Sequence, residues 1–175
     1  MVNAEKKESV LAARVLLAGA PSGALGTVNN DGSPLVTLVA LATTEDGAPL
    51  LLLSNIAAHT QNILREPRVS LLVDGDPTDM DPMTAPRLSL NGRIKRLSAD
   101  ESGQAKQLFI ERHPDSEPYD RELDFAYYRF EIESARFNQG FGRFRKLGAG
   151  DLLTSPRPLK EISCPFILRI FKQSV

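Results

Sequence analysis

The residues best able to do chemistry gather in Leu50–Val73, LLLLSNIAAHTQNILREPRVSLLV. An apolar run ends in Ser54-Asn55, a short helical segment opens near His59-Thr60, and Arg65-Glu66-Pro67 leads into a second apolar run. Free backbone N–H groups and the positive end of the helix dipole converge at such a corner, which favours an anionic group. Ser54, His59 and Thr60 can add side-chain donors. The alternative reading is an ordinary strand–helix–strand connection with polar caps. What separates the two is whether the rest of the chain supplies a ligand.

Other chemistries have less support. Two histidines, His59 and His113, have no carboxylate or second imidazole at ligand spacing, so no metal site is expected. There is no Gly-x-Ser-x-Gly elbow, no Walker loop and no Gly-x-Gly-x-x-Gly between a strand and a helix. Asn138–Arg143 (NQGFGR) is glycine-rich and reads either as a turn or as a loop in close approach to a ligand. His113 precedes Pro114 and reads as a helix C-terminal cap.

The elements that must position these groups are mostly strands. Residues 4–18 carry an apolar stripe at Leu11, Val15 and Ala18, closed by Gly19, and form a helix. Residues 24–29 and 34–43 flank Asn30-Asp31-Gly32, a hairpin signal, and Glu45-Asp46-Gly47 gives a second hairpin into Leu50–Leu53. A helix over 57–64 is stopped by Pro67, and a strand covers 69–73. Residues 74–86, rich in Asp and Pro, form a loop. Arg87–Lys95 alternates as a strand with a bulge at Gly92, and Ser98-Ala-Asp-Glu101 is a capping box opening a helix to about Arg112. Phe125–Phe137 is a long strand with Tyr128, Phe130 and Ile132 on one face. Antiparallel strands with helices only at the connections argue for a closed barrel, because closure removes exposed edges. The fold class is α+β, mainly β: a six-stranded antiparallel split β-barrel with peripheral helices. It occupies residues 1–147, and 148–175 is a tail without clear period.

With 175 residues, 42% hydrophobic and 25% charged, the chain can bury a real core as one domain. A formal net charge of −1 argues against nucleic acid as the main partner. No apolar run is long enough to span a bilayer, and the N-terminus lacks a secretory pattern, so a cytoplasmic protein is expected. A lone Cys164 excludes an internal disulfide framework.

Taken in order, Leu35–Leu41, the Asp-Gly turn, LLSN, AHTQNI, REPRVSLLV and RLSLNG resemble the pyridoxamine 5′-phosphate oxidase-like split-barrel flavoproteins. SNIAAHTQNI, DPMTAPRLSLNG, ERHPDS, DFAYYRFEIESARF and GFGR are most similar to the haem-utilisation branch of that superfamily, and the likeness covers roughly residues 8–147. The resemblance implies FMN bound at the interface of a homodimer, and an oxidoreductase activity on a small-molecule substrate. By position, Val36, Thr37, Leu38 and Val39 would line the flavin ring through backbone groups. Ser54, His59 and Thr60 would hold the phosphate with Asn62 nearby, and Arg87 would contact flavin or phosphate. Alternatives are a haem-binding or haem-degrading protein on the same barrel and a flavin-binding module without catalysis. The oxidase proper carries an Arg–Lys pair where this chain has His59-Thr60, which points away from pyridoxamine phosphate oxidation. Longer haem-utilisation relatives carry a further C-terminal domain, for which this chain is expected to have no room.

Overall fold

A computed structural model describes residues 2–75, 84–122, 124–140 and 143–154. Helix α1 (Val2–Gly19) is followed by the hairpin β1 (Ser22–Val28) and β2 (Pro34–Ala40). Its turn is closed by Gly32 at φ +85°, and the Asp31 carboxylate accepts from the Ser33 amide and hydroxyl. A second hairpin joins β3 (Ala42–Thr43) to β4 (Pro49–Ser54), with Gly47 at φ +87°. These left-handed positions are where glycine avoids a Cβ clash. Then come α2 (Ala58–Arg65), β5 (Arg68–Asp74), β6 (Arg87–Arg96) and α3 (Ala99–Arg112). A short 3₁₀ turn, α4 (Glu117–Glu122), β7 (Phe125–Asn138), β8 (Phe144–Gly148) and α5 (Ala149–Leu152) complete the described chain.

The sheet runs β2-β1-β5-β6-β7-β4-β3, antiparallel at every pairing, with β8 also on β7. β4 comes back into contact with β2 without a ladder between them. Six strands therefore curl into the expected split barrel, and the split lies between β2 and β4. The described residues hold eight strands rather than six. The two additions are the two-residue β3 and β8, whose FRKLG sequence buries Leu147 alone.

β7 organises the sheet. One edge pairs with β6 along its length; the other is shared, Phe125–Arg129 with β4 and Ser134–Asn138 with β8. The register shifts at Asn91/Gly92, where Gly92 pairs with Ile132 and Asn91 with Ser134. The unpaired Glu133 flips the core face of β7 from Tyr128, Phe130 and Ile132 to Ala135 and Phe137. A Cβ on Gly92 would stand 2.0 Å from the Glu131 carbonyl oxygen, so only glycine fits this bulge.

The main core fills the barrel and takes in Ala12, Ala13, Leu16 and Leu17 of α1, Ile63 of α2 and Leu152 of α5. A smaller core lies on the outer side, where Ala105 and Phe109 of α3 cover Leu50, Leu52 and Tyr127. The capping box of α3 forms as expected between Ser98 and Glu101. Pro118 does not stop helical structure but sits in the first turn of α4, where no intrahelical N–H bond is lost. The expected boundary after residue 147 falls at the end of β8. Gly148–Thr154 pack on the barrel, with the Thr154 amide on the Asp46 carbonyl; residues 155–175 lie outside the described residues.

Candidate functional site

The strand–helix corner forms as a built unit. β4 ends at Ser54, whose carbonyl accepts from the Ala57 amide. Asn55 ties the turn to the start of β7. Its amide donates to the Asp124 carbonyl, its Nδ2 lies 2.6 Å from Asp124 Oδ1, and Tyr128 Oη donates to its Oδ1 at 3.3 Å. Gln61 Nε2 donates back to the Asn55 carbonyl. Asn55 and Gln61 are the corner's fasteners. Sequence reasoning took Asn55 only as a turn residue, and the Asp124-Phe125 pair that opens β7 was not read as its partner.

The N-terminus of α2 is uncapped. Its N-cap is Ala57, no side chain accepts from the first turn, and that turn carries no acidic residue. The first helical bond runs from the Gln61 amide to the Ala57 carbonyl. The amides of Ala58, His59 and Thr60 thus lack the side-chain acceptor that most helices place there. His59 and Thr60 are not the caps. Thr60 is fully buried, and its hydroxyl has no hydrogen-bond partner among the described residues. Thr37 Oγ1 on β2 is likewise buried and unpartnered, and β2 and α2 are in contact. An unsatisfied buried hydroxyl costs about 1–3 kcal/mol. Two such groups, one in the first turn of an uncapped helix and one on a strand that touches it, fit an acceptor-rich group such as a phosphate.

His59 is half-buried, and burial pushes its imidazole below the ordinary value of 6.5, so it is neutral at pH 7. Asn62 is buried, but its side chain is spent elsewhere. Nδ2 donates to Thr27 Oγ1 at 3.1 Å and to Asn29 Oδ1 at 2.9 Å, while Arg65 donates to its Oδ1 and to the Val28 carbonyl. It braces α2 against the end of β1. Ser54 pairs with Phe125, so strand alternation sets its side chain on the side of Leu52 that α3 covers.

On β2 the four flavin-ring candidates alternate. Thr37 and Val39 turn inward, whereas Val36 and Leu38 face out, 67% and 78% exposed. Across the outer face Leu38 is level with Ala24 of β1 and Leu72 of β5, giving an apolar strip over three strands. The edge of β2 away from β1 pairs with no strand among the described residues, which leaves backbone groups of Val36–Val39 for a ligand.

Arg87 opens β6 opposite Asp74 and Asn138. Ser54 pairs with Phe125, at the other end of β7. Thirteen residues separate those two positions, about 40 Å along a strand at 3.3 Å per residue. Arg87 and the end of β4 therefore sit at opposite ends of β7. The Asp79 and Asp81 partners open to Arg87 on sequence grounds lie outside the described residues.

His113 is the C-cap of α3, as expected. Its Nε2 donates to the Leu41 carbonyl at 2.7 Å and its ring packs on Phe109. No cluster of three metal-ligating side chains occurs among the described residues.

A single antiparallel barrel with this split and this corner defines the class. The profile described as CREG, beta-barrel, matches residues 4–151, and the chain belongs to that family. The chloroplastic heme oxygenase HOZ of Arabidopsis thaliana is 31% identical over 140 residues, 79% of this chain and 42% of that protein. A heme binding protein of Mycobacterium smegmatis superposes with a TM-score of 0.77 at 25% identity, covering 82% of this chain and 59% of that one. A pyridoxinephosphate oxidase family protein of Clostridium acetobutylicum, at 14% identity, shares the fold with a TM-score of 0.66 over 83% of this chain and 98% of that one. The chain thus spans about half the length of the first two. The fold is that of the pyridoxamine 5′-phosphate oxidase-like split barrels, with haem-binding proteins among the relatives. Among the described residues no helix is long and apolar enough to cross a membrane.

Proposed function

We propose that the chain is an FMN-binding homodimeric flavoprotein of the cytoplasm, acting as an oxidoreductase on a small molecule. The observation that carries this reading is the uncapped start of α2 with the orphaned Thr60 hydroxyl beside it. The phosphate would take the Ala58, His59 and Thr60 amides, the Thr60 hydroxyl and the His59 imidazole, with Asn62 positioning the helix from behind; Ser54, whose side chain lies on the α3 side of β4, would serve only through the backbone of its turn. The free edge of β2 at Val36–Val39 would hold the ring, with Thr37 Oγ1 as an added donor. FMN supplies the redox chemistry; this chain's groups bind it, orient it and limit water.

Arg87 enters from a second copy. Its place at the far end of β7 from the corner supports a ligand shared between protomers. So does the exposed strip of Val36 and Leu38, since an apolar face of this kind marks an interface. Mixed dimers test this. Thr60→Val and Arg87→Gln chains should each bind FMN at least tenfold more weakly, while equal mixing should make half of the dimers hybrids, each with one intact site of its two. No recovery on mixing would remove the shared-site reading.

A second reading, haem on the same barrel, is favoured by two relatives whose names carry haem. The imidazole open to iron would then be His59 and not His113, whose Nε2 is bonded to Leu41. Hemin added to His59→Ala and His113→Ala proteins distinguishes them: loss of the Soret band in the first alone supports this assignment.

A further inference from the structure

The α2 corner has no cation of its own. Leu50–Leu64 contains no Lys, Arg, Asp or Glu, and β1 and β2, which pack on α2, carry no charged side chain. The cations that follow in the chain are committed. Arg65 donates to the Val28 carbonyl and to Asn62 Oδ1, and Arg68 donates to both oxygens of Glu66. A phosphate monoester brings a charge of about −1.5 to −2 at neutral pH. Amides, a hydroxyl and a neutral imidazole leave most of that charge without an opposite one.

A matching surplus lies on the outer face of the sheet. Arg136 of β7 and Lys146 of β8 are register partners, and both are exposed. Like charges directly opposite each other on a sheet repel. Neither side chain makes a hydrogen bond or ion pair among the described residues, and Arg136 has only the Phe144 ring, 5.8 Å from its guanidinium carbon. Other sheet cations stand beside acids: Arg93 is 3.3 Å from Glu133, Lys95 is 3.9 Å from Glu101, and Arg129 is 2.6 Å from Asp46.

The pair continues the exposed apolar strip. One cross-strand row on the outer face reads Leu38, Ala24, Leu72, Ser89, Arg136, Lys146. At about 4.8 Å between strands it is about 24 Å long. Helix α2 packs at its apolar end, and the cations stand at the other. A second copy seated on Leu38 and Leu72 covers the same face. If like ends of the row met, both pairs of cations would be pressed together, and burying unpaired charge is costly. A two-fold that turns the row end for end sets the cations of each copy toward β2 and α2 of the other.

We infer that Arg136 and Lys146 of each copy supply the positive charge for the anion held at the α2 corner of the other copy. The inference rests on the FMN reading of that corner and adds the source of its missing charge.

Titrations of the full chain with FMN and riboflavin test it, because the ratio of the two affinities isolates the phosphate. Arg136→Gln combined with Lys146→Gln should cut the preference for FMN at least tenfold, the scale of one charge-assisted contact. Riboflavin affinity and melting temperature should hold, since both side chains are exposed and make no ion pair among the described residues. The exchange Arg136→Lys with Lys146→Arg keeps the charge and should keep the preference. Coexpression of the doubly Gln-substituted chain with a Thr60→Val chain should give hybrid dimers in which one site of the two recovers parental FMN affinity. There an intact corner meets intact cations.

The inference is overturned if the doubly substituted chain keeps the preference, or if the exchange loses it as fully. It is equally overturned if the hybrids recover nothing, which would set the cations on their own chain's corner, or if the doubly substituted chain melts well below the parent. If the parent shows no preference for FMN, the FMN reading falls and this inference with it. A parental preference that survives loss of both cations removes this inference alone.

Discussion

Asn62 Nδ2 donates to Thr27 Oγ1 at 3.1 Å, and this contact between buried groups fixes α2 on the end of β1. The resemblance sets Asn62 near the proposed phosphate, and in the structure its side-chain amide is committed to β1 and the residue after it. The direction of the helix N-terminus depends on it.

Asn62→Ala should therefore cost about 1–3 kcal/mol, because Thr27 and Asn29 are left without their buried donor. FMN affinity should fall as well, through tilting of α2. Chemical denaturation and an FMN titration on the same preparation check both; an unchanged affinity would mean that the brace does not set the corner.

Thr60→Val should move stability and affinity in opposite directions. Removing an unsatisfied buried hydroxyl is neutral or stabilises the ligand-free protein by up to about 1 kcal/mol. The same change should weaken FMN about tenfold. A loss of stability without FMN would show that the hydroxyl already serves the fold.

His59 gives a pH signature. Burial disfavours the imidazolium, so the folded value lies below 6.5. As pH falls through 6.5 the unfolded chain takes up a proton that the folded chain refuses, and stability declines until the folded value is passed. His59→Gln should lack this decline. A bound phosphate dianion favours the imidazolium, so FMN should raise the His59 value followed by NMR; riboflavin should leave it in place.

Arg129 donates to Asp46 through two nitrogens, at 2.9 and 2.6 Å, and with Thr44 holds its carboxyl at about 2 instead of 3.8. A depressed carboxylate adds stability above 3.8 that disappears as pH falls through about 2. The pair is half-buried, so Asp46→Asn should cost about 1–2 kcal/mol at neutral pH after allowance for solvent screening. Urea titrations should show that gap narrowing below pH 4, as the parent protein alone loses stability.

What could be read from the sequence was what short-range chemistry dictates. The two Asp-Gly turns, the Ser98–Glu101 box and the Gly92 bulge each depend on a few neighbouring residues, and each formed. Contacts between distant segments were not legible. Nothing local in FRKLG announces β8, which forms because the C-terminal half of β7 has an open edge once β4 ends. Asn62 and Thr60 are both buried on α2, but only the fold shows that Thr27 and Asn29 claim the first and that no group among the described residues claims the second. The separation of Arg87 from the corner likewise follows from the strand register, which no motif records.

The central claim is that the α2 corner binds a phosphate belonging to a flavin. Parallel titrations of the purified chain with FMN and riboflavin, followed by quenching of the flavin emission excited near ~450 nm, test it most directly. The account predicts micromolar or tighter binding of FMN and at least tenfold weaker binding of riboflavin, with the difference lost in Thr60→Val. Equal affinity for the two flavins, or no flavin binding alongside a hemin Soret band, would contradict it.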